Sequence, residues 1–101
     1  MKNADTRDFL EEMEHGEGFV RYHGKDYFVH GCMFKPGEDG KPHFFFMDIY
    51  DMAARTFVWK TEKETSEEAM KAFLAEPLID GKTFWELEPE LEWTEGPGSA
   101  S

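Results

Sequence analysis

The chain has 101 residues, 40% of them hydrophobic and 16% aromatic, and 22 acidic against 11 basic side chains give it a net charge of −11. That length suits one domain with one core, and the aromatic content argues against global disorder. The charge repels nucleic acid and anionic lipid, so neither is expected as a partner, and no apolar run approaches the ~20 residues a membrane helix needs.

Cys32 is the only cysteine, which leaves no pair for an intrachain disulfide. The opening residues Met1-Lys2-Asn3-Ala4-Asp5 carry no apolar signal-peptide core. A reducing, cytoplasmic setting is the expectation.

Residues 5–14 read as a short helix, with Asp5 as N-cap and Phe9, Leu10 and Met13 on one face. His15-Gly16 ends it. Phe19–Tyr22 and Tyr27–Phe34 then show strand composition around His23-Gly24-Lys25-Asp26. A turn centred on Gly24-Lys25 pairs Tyr22 with Tyr27 and Val20 with Val29. That register puts Val20, Tyr22, Tyr27, Val29 and Met33 on one face, and Phe19, Phe28, His30, Cys32 and Phe34 on the other.

After a turn-rich loop at 35–42, His43–Tyr50 reads as a strand apolar on both sides, and Arg55–Lys60 returns beside it. Thr65 with Glu68 has capping-box spacing ahead of a helix bearing Ala69, Met70, Phe73 and Leu74, which Pro77 stops. Finally Trp85, Leu87, Pro89, Leu91 and Trp93 alternate with Glu86, Glu88, Glu90 and Glu92, a period of two that predicts an edge strand. The expected fold is α+β: an antiparallel sheet of about five strands with two short helices, in the order α-β-β-β-β-α-β, over residues 1–95. Residues 96–101 are expected to form a disordered tail.

Few residues here are arranged for chemistry. His30 and Cys32, two apart on a strand, could offer two metal ligands or a thiol–imidazole pair, but no zinc-type spacing supports a metal and Cys32 sits in apolar surroundings. No catalytic set, metal or cofactor is therefore expected. There is no phosphate-cradling glycine loop, and Gly37-Glu38-Asp39-Gly40 would repel phosphate. The Glu86/Glu88/Glu90/Glu92 ladder reads either as charge that protects an edge strand or as a docking strip for a basic partner. Phe44, Phe46, Trp59, Trp85 and Trp93 are core or interface candidates.

These features favour a non-enzymatic interaction module that docks on a protein partner or on itself, as a homodimer, through an apolar sheet face. Two alternatives stand beside it: a small-ligand-binding domain or minor enzyme with an aromatic pocket using His30, Cys32 or His43, and an acidic inhibitor that mimics nucleic acid. The first strand pair and FFFMDIY are apolar on two sides, so a second cover is needed. It could be the N-terminal helix, the C-terminal segment or another copy of the chain.

Overall fold

Asp5 begins the first helix as expected: its side-chain oxygen accepts from the backbone N–H groups of Arg7 and Asp8 at 2.8 and 3.3 Å, two of the donors that a helix start leaves unpaired. A computed structural model describes residues 1–96 and places this helix, α1, at Thr6–His15. There follow β1 (Glu17–Tyr22), β2 (Lys25–Lys35), β3 (Phe44–Asp51), β4 (Thr56–Lys63), α2 (Ser66–Ala75), α3 (Phe84–Leu87), a 3₁₀ turn (Glu88–Glu90) and β5 (Leu91–Thr94). The fold is α+β, a five-stranded antiparallel sheet in the order β4-β3-β2-β1-β5 with three helices. The tail expected from residue 96 lies, from residue 97 on, outside the described residues.

The β1–β2 turn is tighter than the sequence reading placed it. His23 and Gly24 both have positive φ, 49° and 79°, as a two-residue type I′ turn requires. Tyr22 therefore faces Lys25 and Val20 faces Tyr27. The shift moves each partner by two residues, so it leaves the facial sets intact; a shift by one would have exchanged them.

A bulge between His30 and Met33 does change the faces. Gly31 and Cys32 are both buried, and beyond them the alternation is inverted. Cys32 and Phe34 join the face of Tyr27 and Val29, whereas Met33 joins the face of Phe28 and His30.

All three helices pack on one side of the sheet. Phe9 and Met13 of α1, Ala69, Ala72 and Phe73 of α2, and Phe84 and Leu87 of α3 share one core with Val20, Tyr22, Tyr27, Val29, Met47, Ile49 and Trp59. Phe84 binds the layer together, with its ring 6.1 Å from Phe9 and 5.4 Å from Phe73. The N-terminal helix and the C-terminal segment thus add to the cover that α2 provides, and neither crosses to the other face.

The period-two strand predicted over Trp85–Trp93 is corrected. Its first half is helix and 3₁₀ turn, and only Leu91–Thr94 pairs, with β1. The deciding set is Phe84, Leu87 and Leu91, each at most 3% exposed, whose spacing of three and four is helical. Thr83 donates through its N–H and its hydroxyl to Glu86 Oε1 at 3.0 and 3.1 Å, which helps fix the helix start.

The β3–β4 turn is held by Asp51, 3% exposed. Its Oδ1 accepts from Ala53 and Ala54 N–H at 3.1 and 3.0 Å, and its Oδ2 pairs with Lys25 Nζ at 3.0 Å. The Ala54 N–H first, and then Lys25, hold the carboxyl below the usual carboxylate range. A depressed carboxyl contributes stability above its ordinary pKa of about 3.9 and loses it as pH falls through the folded value. Asp51→Asn, which cannot pair with Lys25 as an ion, should flatten the acid limb of the stability–pH curve followed by denaturant midpoint.

Gly31 lies against α1: an added Cβ would overlap the backbone oxygens of Gly16 and Met13. Gly31→Ala should therefore cost more than about 2 kcal/mol in urea unfolding. Gly24→Ala meets open space and only a positive φ, so it should cost about 1 kcal/mol.

Candidate functional site

The face of the sheet away from the helices carries its own aromatic band. On this side the register sets Phe19 beside Phe28, Phe28 beside Tyr50, and Tyr50 beside Phe57, running from β1 to β4. Phe19 and Phe28 lie 4.9 Å apart by ring centroid, and Tyr50 and Phe57 lie 5.1 Å apart edge to face. Phe46, opposite Met33, extends the apolar surface. None of these residues belongs to the helix-side core. The rings shield one another, so most are half-buried; Phe57 at the β4 edge is 44% exposed.

His30 sits in this band between Phe28 and Phe46, with ring centroids 4.8 and 6.0 Å away. Its Nδ1 is 3.0 Å from Asp48 Oδ1, and its Nε2 is 3.7 Å from Glu17 Oε2. An imidazole oriented by a carboxylate is half of a nucleophilic triad. Here the other ring nitrogen faces a second carboxylate where a hydroxyl or thiol would have to stand. The bulge sends Cys32 to the opposite side of the sheet, which corrects the expectation that His30 and Cys32 share a face. Among the described residues no group of three or more His, Cys, Asp or Glu side chains is arranged to hold a metal ion.

Charge on the open face is close to balance. Glu17, Asp26, Asp48, Glu62 and Glu92 share it with Arg21, Lys35 and Lys60, and Lys2 reaches Glu92 at 3.6 Å. Arg21 Nε and Asp26 Oδ1 pair at 3.0 Å. Most of the 22 acids in the chain therefore lie elsewhere.

The candidates named from the sequence scatter. Phe44 and Phe46 belong to the open face. Trp59 is a core residue, 8% exposed, whose Nε1 donates to Glu76 Oε1 at 3.1 Å. Trp93 packs edge-on against Phe9 at 5.4 Å on the helix side, and Trp85 projects from α3 at 54% exposure. The four glutamates form no strip. Glu86 caps α3, where the Thr83 N–H holds its carboxyl below the usual range. Glu88 takes the terminal ammonium of Met1 and is lowered by it, Glu90 meets His23 at 3.1 Å, and Glu92 meets Lys2. Sequence reasoning passed over Phe19, Phe28 and Phe57 as site residues. Their signal was the strand alternation itself, which placed Phe19 and Phe28 on the face opposite Val20 and Val29.

On the helix side, the Cys32 thiol points to the Ser66 carbonyl oxygen at 3.8 Å. Burial, and then the Glu14 carboxylate, push it above the ordinary thiol range. Comparison with protein-family models, with curated proteins and with solved structures finds no match. A raised, 7%-exposed thiol should react with a thiol reagent at least about tenfold more slowly in the native chain than in denaturant. Equal rates would place the sulfur at the surface.

Proposed function

We propose that this chain is a small non-enzymatic self-association module whose two copies meet through the open face of the sheet. The observation that carries this reading is the aromatic band left uncovered while all three helices crowd the other side. An apolar face rimmed by polar groups marks an interface more often than it marks bare surface.

The charge pattern supports a second copy over a basic partner. Most of the acids lie off this face, so they would draw a basic partner elsewhere, and the near-balanced face is where two polyanions approach with least repulsion. Association along the β4 edge is disfavoured by the register shift opposite Ile49/Tyr50 and by Lys60 and Lys63. Strand spacings of ~4.8 Å and rises of ~3.3 Å give a face of about 400 Å² per copy before side-chain relief. Twice that area is below the roughly 1,000 Å² of a stable interface, which makes the proposed dimer a weak, transient one. A self-complementary two-fold contact is the simplest closed form.

Sedimentation should show monomer giving way to dimer as concentration rises from about 5 to 500 µM. Association should strengthen with salt, because screening weakens the repulsion between two chains of charge −11. Phe28→Glu should keep the chain monomeric without lowering its melting temperature by more than a few degrees. A wild-type chain still monomeric at the highest concentration and high salt would defeat the proposal.

A further inference from the structure

A cleft of about 540 Å³ opens on the helix-bearing side, between the C-terminal end of α1, the end of β2, the start of β3 and the start of α2. Cys32 lies at its floor, and Phe34, Phe45 and Met70 form apolar walls. Phe34 is held in place although it is 57% exposed: its ring stands 5.4 Å from Phe45 and 5.4 Å from His43. His43 in turn meets Phe45 edge-on at 6.3 Å, which closes a triangle of rings.

The polar lining is one-signed. Glu14 and Glu67 reach the cleft, and no lysine or arginine lines it. His15, the remaining titratable side chain there apart from the thiol, lies 3.9 Å from Glu14. The start of α2 would ordinarily attract an anion, but Glu67 and Glu68 occupy its first turn and offset the positive end of the helix. Glu14 and the Cys32 thiol line the same cleft, and the carboxylate acts to raise the thiol after burial does.

An apolar cavity of a few hundred Å³ with convergent polar groups is the usual form of a small-ligand site. Carboxylates beside aromatic rings select the sign of the ligand, since both favour a cation. We infer that the cleft binds a small organic cation, an amine or quaternary ammonium on an aryl or short alkyl body. The body lies against Phe34, Phe45 and Met70, and the ammonium sits at the rim near Glu14 and Glu67. This site is on the opposite side of the sheet from the proposed dimer face, so the two readings stand or fall separately.

The test is an NMR titration of the full chain, carrying labelled methionine methyls and backbone amides, with phenethylammonium and with its anionic counterpart phenylacetate. Phenethylammonium should move the Met70 methyl and the Phe34 and Phe45 amides saturably, at least about fivefold more tightly than phenylacetate does. In a Glu14→Gln/Glu67→Gln double variant, whose changes are at the rim, that preference should vanish while the melting temperature holds. The inference is overturned if the two probes bind alike in the unaltered chain. It is equally overturned if no saturable shift reaches those three residues by about 10 mM probe. Persistence of the preference in the double variant also overturns it, since the general attraction of a polyanion for cations would then explain the binding.

Discussion

At Gly31 the backbone of β2 runs against the carbonyl oxygens of Met13 and Gly16, leaving no space for a side chain. This close approach lets the end of α1 settle on the sheet, and it coincides with the bulge that turns two successive residues, Gly31 and Cys32, toward the helices. Beyond the bulge the parity of β2 is inverted, so Phe34 faces the helix side and Met33 the open side. The separation of His30 from Cys32 follows directly. An imidazole and a thiol two residues apart, which a regular strand would place together, are divided by the thickness of the sheet.

Placing every helix on one side concentrates the large side chains there. Phe9, Phe73 and Phe84 are each at most 2% exposed, and burying one such ring contributes about 1.5–3 kcal/mol relative to leaving it in water. Phe84 draws the C-terminal segment to this side because its ring fits between those of α1 and α2. A chain with 10 phenylalanines has more aromatic surface than one small core absorbs. Phe34 and Phe45 pair at the helix-side cleft, and Phe19, Phe28 and Phe57 pair with one another or with Tyr50 across the open face, in ring-to-ring contacts that reduce the cost of exposure without removing it.

Charge is distributed by local task. Asp5 and Glu86 serve helix starts, Asp51 a turn, and Glu88 the terminal ammonium. Each is held by nearby N–H groups or by one cation, so a net charge of −11 does not amount to one acidic surface. The open face is left close to neutral, and the cleft beside α2 is lined by two carboxylates and His15 with no lysine or arginine. Two surfaces of opposite character thus lie on opposite sides of the same sheet.

Local sequence determined α1, α2 and the four long strands, because their information is short-range. Asp5 and Thr65 are caps, Phe9 and Met13 share a helical face, and the aromatic runs suit a pleated surface. It also determined that FFFMDIY would have two apolar sides. The His23-Gly24 turn was less legible, since His-Gly is not among the Asn-Gly, Asp-Gly and Gly-Gly pairs that mark a type I′ turn, yet the misplaced turn kept the facial sets. The capping-box spacing of Thr83 and Glu86 was passed over beside the more regular alternation of Trp85–Trp93. Only burial of Phe84, Leu87 and Leu91 decided between a period of two and a helical one. The bulge at Gly31–Cys32 likewise has no local signature beyond a glycine, because its cause is the arrival of α1 from elsewhere in the chain. Which side the helices chose, and hence which face stayed open, belongs to the tertiary structure alone: both sides of β3 were apolar, and it is the shared core of Phe9, Phe73 and Phe84 that holds all three helices on one of them.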